Sequence, residues 1–151
     1  MTFTFREQVA QDEEFLRGLF AAAVGPALGL SAWPAEQRAA LLDLQYRARE
    51  RDWSERCPPG RLLIVERDGE PAGRIRFSQP EADGCRRVVD LAVAPAHRRC
   101  GVATAALAHC PGPLRLRVAR TNLPARQLYQ RLGFLPEGGD DLDLFLHRPA
   151  Q

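Results

Sequence analysis

The stretch RLLIVERDGEPAGRIRFS, residues 61–78, constrains the fold more than any other part of the chain. Two apolar runs flank Asp68-Gly69, the dipeptide whose backbone freedom suits a two-residue hairpin turn, so the runs must lie side by side and antiparallel. A polar turn at Glu81–Gly84 then leads to a third apolar run, RRVVDLAVAP, from about Arg86 to Ala94, which Pro95 ends. The three runs make an antiparallel meander, and a sheet with such neighbours is not purely doubly wound.

The flanking segments complete the pattern. Phe3 and Phe5, continuing to Val9, alternate with polar residues as a half-buried strand does. Asp12 is placed to cap a helix in which Phe15, Leu16, Leu19, Phe20 and Ala23 recur at helical spacing until Gly25-Pro26. Ser31–Pro34 reads as the start of a second, Arg- and Glu-rich helix that carries Leu41, Leu42, Gln45 and Tyr46 toward Arg51, and Pro58-Pro59-Gly60 closes this half. Downstream, Arg99–His109 reads as a helix, Pro111-Gly112-Pro113 as a break, LRLRVA as a fourth central strand and Pro124–Leu132 as another helix. DLDLFLHR alternates as an edge or terminal strand. The order predicts an α+β fold, a mixed and mainly antiparallel sheet flanked by helices, in a single domain over residues 1–151.

Composition removes several function classes. Every basic residue is arginine, and arginines alternate with acidic residues along a chain of net charge +2, which argues against a nucleic-acid partner. Cys57, Cys85, Cys100 and Cys110 form no CxxC pair, and His97, His109 and His147 have no zinc-finger spacing, so no metal is expected. No run approaches the ~18 apolar residues of a membrane span, and MTFTFREQVA at the start lacks a basic region followed by a long apolar stretch. The expectation is a cytoplasmic protein with reduced thiols and no membrane partner.

HRRCGVATAAL, residues 97–107, joins the third run of the meander to a helix. The unpaired amides of a first helical turn, with those of the preceding loop, form a donor cluster suited to a diphosphate. Gly101 and Ala103 keep side chains out of its way, and Thr104 offers a hydroxyl. The alternative is a capped helix beside a solvated arginine pair. A P-loop and GxGxxG are both absent, which disfavours ATP and NAD.

The stretch resembles the acyl-CoA-binding motif of the GNAT superfamily of N-acetyltransferases, Arg/Gln-x-x-Gly-x-Gly/Ala, at Arg98, Gly101 and Ala103. VVDLAVAP resembles the family's fourth strand. NLPARQLYQRLGF resembles its next helix and turn, with Asn122, Ala125, Leu128, Tyr129, Gly133 and Phe134 on the family's spacing. The likeness runs from about Leu62 to the end; the helical first third carries no signature.

The resemblance implies that the fourth and fifth strands splay and admit the pantetheine arm of acetyl-CoA, the expected co-substrate. Leu91, Ala92 and Val93 would offer main-chain groups to it, and Val93 N–H would polarise the thioester oxygen. Arg98, Arg99, Cys100, Gly101, Val102, Ala103 and Thr104 would hold the diphosphate, and Asn122, Ala125 and Leu128 would line the cofactor side of the next helix. Asn122 also suits an N-cap, and both roles can hold. Tyr129 occupies the place of a general acid toward the coenzyme A sulfur, or packs against Leu132 and Phe134. Asp90 relays a proton from the amine through water, binds a substrate cation or pairs with an arginine; Glu66 and water alone are alternative bases. Cys100 lies beside arginines at a helix start but lacks a nearby base. Arg115 and Arg117 are solvated or favour an anionic acceptor.

Three functions follow: an N-acetyltransferase acting in a ternary complex on a small amine, an amino-acid-like compound or a protein N-terminus; a non-catalytic acyl-CoA-binding or regulatory module; or an interaction protein using the charged helix from Ala35 to Arg51. The acceptor and a possible homodimer are left open by the sequence.

Overall fold

The computed structural model describes residues 1–56 and 60–150, so Cys57 and the Pro58-Pro59 closure lie outside the described residues. Seven strands, β1 (Phe3–Glu7), β2 (Arg61–Arg67), β3 (Glu70–Phe77), β4 (Arg86–Val93), β5 (Leu114–Ala119), β6 (Leu135–Gly139) and β7 (Asp143–Arg148), form one sheet in the order β1-β2-β3-β4-β5-β7-β6. The helices are α1 (Glu13–Val24), α2 (Ala35–Arg56), α3 (Val102–His109) and α4 (Leu123–Arg131). All strand pairs are antiparallel except β4 with β5. This is the mixed α+β arrangement that the meander requires.

The hairpin turn takes positive φ at both residues, 52° at Asp68 and 85° at Gly69, as a type I′ turn demands. β2 is buried on both faces. Leu63 and Val65 join Ile75, Val102, Ala106 and Leu107 in the core under α3, while Ile64 packs with Leu16, Leu19, Phe20 and Tyr46 of α1 and α2. Its continuous LLIV run, unlike an alternating one, is the mark of a strand sandwiched between helical layers.

Several details depart from the sequence reading. Val9 lies beyond β1 and is exposed. Asp12 precedes α1 but makes no side-chain cap bond there. Its buried carboxylate instead takes Arg6 Nη1 and Nη2 at 2.9 and 2.8 Å and the Val9 N–H at 2.8 Å. The charged helix runs a turn beyond Arg51, to Arg56. The last run is not an edge strand. β7 is covered by β6, whose sequence LPEGG is exposed throughout and takes its conformation from pairing with β7.

β7 also ends on a buried cation. Arg148 donates to the carbonyls of Leu107 at 3.1 Å and of Cys110 and Gly112 at 3.3 Å, and its guanidinium lies over the Phe134 ring. It thereby satisfies carbonyls that the end of α3 would leave unpaired.

Candidate active site

The parallel pair is the opening in the sheet. β4 and β5 are in register only at Arg86↔Leu114 and Arg87↔Arg115; beyond that they part, while β3 and β7 stay paired to their other edges. The Ala94 N–H donates to Ala72 O at 2.8 Å, and main-chain direction alternates along a strand. Ala92 therefore spends its main chain on β3, which corrects its expected place on the open edge, whereas Leu91 and Val93 turn theirs into the gap. Side chains follow the opposite rule: Leu91 and Val93 pack toward α3, Ala92 and Ala94 toward α1 and α2. Gly73 lets the layers close, since a Cβ there would lie 2.7 Å from Ala92 O and 3.1 Å from Val102 Cγ1.

The loop after β4 is longer than the expected helix start at Arg99. α3 begins at Val102, because Arg99 (φ 60°) and Gly101 (φ 85°) are both left-handed and cannot extend a helix. Alternation of this kind turns successive amides to one side, a concavity for anions. The Ala105 N–H makes the bond to Gly101 O, so the amides of Val102, Ala103 and Thr104 have no helical acceptor. The Arg98 and Arg99 side chains are exposed, Cys100 is half-buried with its thiol donating to Arg98 O at 3.4 Å, and Val102 is core. Thr104 is exposed and lines a cavity of about 380 Å³ with Leu107, Ala108, Leu132 and Arg148. That cavity follows the C-terminal half of α3 and includes neither Asp90 nor Tyr129.

α4 packs through Ala125 and Tyr129 on the same core cluster as Leu91 and Val93. Asn122 caps it, its Oδ1 accepting from the Ala125 N–H at 3.3 Å, and Pro124 sits in the first turn. Ala125 and Leu128 are half-buried, and Ala125 packs on the core. Tyr129 packs edge-on to Phe134 with centroids 5.5 Å apart. Its phenol is pushed above the ordinary value, first by burial and then by the negative charge of Asp90. The two side chains therefore feel each other although they belong to different layers of the sheet.

Asp90 belongs to a buried cluster that sequence reading missed. Arg74, only 1% exposed, donates to Glu50 at 2.6 and 2.9 Å and stands 3.8 Å from Asp90 Oδ2. Arg76 reaches Glu50 at 3.4 Å. Arg49 lies over the rings of Phe20 and Trp53, at 4.5 and 4.3 Å. Burial raises the Asp90 carboxyl above the usual range against the pull of Arg49 and Arg74. Glu50 goes the other way: its direct bonds to Arg74, with the neighbouring cations, outweigh burial and hold it low. The available signal was the alternation of Arg74, Arg76 and Asp90 with apolar residues on adjacent central strands.

Other candidates are engaged elsewhere. Glu66 accepts from Thr4 at 3.2 Å and pairs with Arg6 at 3.2 Å, at the β1 edge. Arg115 pairs with Asp83 at 2.7 Å and Glu137 at 3.2 Å, and Arg117 with Asp140 at 2.9 Å. Among the described residues no three His, Cys, Asp or Glu side chains gather as a metal site would, and no helix is long and apolar enough to cross a membrane.

Against known proteins, the family model described as Acetyltransferase (GNAT) family matches residues 28–134. No curated protein sequence matches the chain. Among solved structures it is similar to a PaiA N-acetyltransferase from Thermoplasma acidophilum in complex with coenzyme A, at 17% identity and TM-score 0.69 over 99% of each chain. It is also similar to a Corynebacterium glutamicum protein described as histone acetyltransferase HPA2 and related acetyltransferase, at 22% identity and TM-score 0.70, over 100% of this chain and 98% of that one. A spermidine N-acetyltransferase chimera from Vibrio cholerae and hSSAT follows at 18% identity and TM-score 0.66, over 100% of this chain and 96% of that one. At these identities the structural likeness speaks for the fold.

Proposed function

The chain belongs to the GNAT acetyltransferase family, and from that premise we propose that it moves an acetyl group from acetyl-CoA to a primary amine by direct attack in a ternary complex. The observation that carries this is the one-sided opening between β4 and β5, with the Asp90 carboxyl on one layer and the Tyr129 phenol on the other. Acetyl-CoA supplies the activated acyl group, and the residues present suit it. The amides of Val102, Ala103 and Thr104 have no helical acceptor and suit an anion, while the Arg98 N–H is spent on Pro95 O at 3.4 Å; Leu91 and Val93 turn their main-chain groups along the gap. Asn122, Ala125 and Leu128 line the α4 side.

In this reading Val93 N–H donates to the thioester oxygen, where negative charge grows as the amine attacks. Asp90, raised toward neutrality by burial, takes the proton that the amine must lose. Tyr129 keeps its proton through the neutral range and gives it to the sulfur as the carbon–sulfur bond breaks and the carbon–nitrogen bond forms. No acyl-enzyme is needed, so Cys100 has no covalent part. Residues 1–151 act as one cytoplasmic domain, without metal.

The test is release of free thiol from acetyl-CoA over a broad panel of amines, with calorimetry for cofactor binding. Tyr129→Phe is expected to lower kcat about 100-fold with KM little changed. Normal turnover in that variant would remove Tyr129 from the acid role. Cofactor binding without turnover of any amine would favour an acyl-CoA-binding module, and no association with either acylated or free coenzyme A would leave an interaction protein.

A further inference from the structure

Three buried polar atoms without a hydrogen-bond partner among the described residues converge on one cluster: Arg49 Nε, Arg74 Nε and Asp90 Oδ2. A buried donor or acceptor that has given up water and gained no partner is costly, and native interiors hold few of them. Three in one place mark a site completed by groups from outside. Arg74 Nε and Asp90 Oδ2 face each other at 3.8 Å, an ion pair too long for a hydrogen bond, and Arg49 Nε has no anion beside it among the described residues, so a group completing all three brings an acceptor for the donors and a donor for the carboxylate.

The charges narrow the choice. Arg49, Arg74 and Arg76 face only Glu50 and Asp90, and Glu50 is committed to Arg74 and Arg76. At the rim of the cluster, Arg17 and Arg47 are matched by Glu13 and Asp43. The excess positive charge is thus internal, and it falls on Arg49. Arg49 has no carboxylate within ion-pair distance among the described residues and is held between two aromatic rings. Stacking orients the guanidinium plane and removes much of its freedom, which suits a fork that takes a carboxylate with two parallel bonds. Arg49 and Arg74 both lie over the Trp53 ring, at 4.3 and 5.4 Å, and Arg74 Nε stands 3.8 Å from Asp90 Oδ2, which gathers the three groups in one place.

We propose that the acceptor is a small amino acid, its carboxylate taken by Arg49 between Phe20 and Trp53 and its amine presented by Asp90 to the opening beside Val93. This rests on the acetyltransferase reading and assigns its substrate class. A polyamine or an uncharged amine would leave Arg49 without an anion, and a polyamine would add positive charge where it is already in excess. An amino acid is neutral overall and supplies both missing partners from groups on adjacent atoms. Arg74 and Glu50 form the buried pair beneath it and act as positioning residues.

The experiment compares L-amino acids with their carboxamides, and with spermidine, as acceptors for the full chain, reading thiol release from acetyl-CoA. At least one amino acid is expected to exceed its carboxamide about 30-fold in kcat/KM. Arg49→Met is expected to remove that preference through KM, and Arg49→Lys to restore part of it, with melting curves checking that both variants fold. Carboxamides or spermidine serving as well as the acids would overturn the proposal, as would Arg49→Met affecting acids and amides alike. Calorimetry of amino acids with the chain and desulfo-coenzyme A separates the two readings. If no amine reacts, an Arg49- and carboxylate-dependent heat upholds the pocket while acetyl transfer falls, and its absence overturns the pocket.

Discussion

RIRF at residues 74–77 of β3 and RLRV at residues 115–118 of β5 are nearly the same sequence, yet they lead opposite lives. Under α2, Arg74 is 1% exposed and shares its cluster with partnerless atoms; on the other strand Arg117 is 53% exposed and pairs with Asp140 and Asp143. Alternation fixes only that the arginines share a face. Whether that face is solvent or a chemical site depends on what covers it, and only the β3 pair has a helix laid across it. Exposed pairs satisfy each other in water and cost little to lose. Charges in the interior persist only where each has a protein partner or a ligand to complete it.

The comparison breaks most readily at Glu50. Glu50→Ala strands Arg74 in the interior and is expected to cost about 3 kcal/mol of stability in urea unfolding. The double replacement Arg74→Met with Glu50→Leu should regain most of it, since the charge that needed a partner goes too. A loss as small as at the surface would mean that the two arginine pairs are equivalent after all.

Asp90→Asn sharpens it by separating chemistry from folding: kcat/KM is expected to fall about 100-fold or more. The stability change has the opposite sense. A carboxyl whose folded pKa lies above its unfolded value makes the fold less stable as pH rises through that range. Removing it leaves the melting temperature at pH 7 unchanged or higher. The rise of kcat/KM with pH in the native chain should fall above the ordinary carboxylate range and vanish in Asp90→Asn.

The smallest effect belongs to the exposed strand. Arg117→Ala should leave turnover as it is and shift the melting temperature by no more than about 2 °C. A large change there would sink the contrast from its other side.

What the sequence discloses follows the range of the interaction. Asp68-Gly69 and Asn122 act within a few residues, so the hairpin and the α4 cap were legible. The two left-handed residues before α3 moved its start from Arg99 to Val102, because a non-glycine residue at positive φ leaves no mark in the letters. β6 was missed because LPEGG has no alternation and only its partner strand makes it a strand. Asp12 looks like a helix cap until Arg6 is brought beside it. The cluster around Asp90 escaped for the same reason on a larger scale: Arg49, Arg74 and Asp90 are far apart in the chain, and nothing local says that α2 will roof the strands.

Arg148 gives the molecule a particular order of completion. The rear of α3 is fastened by a side chain that lies 41 residues beyond Leu107, whose carbonyl it holds. During synthesis the loop before α3 and that short helix emerge well before their anchor does. Until β7 leaves the ribosome and pairs with β5, that helix ends on bare carbonyls, so the nascent polypeptide carries a short helix that is not yet made fast.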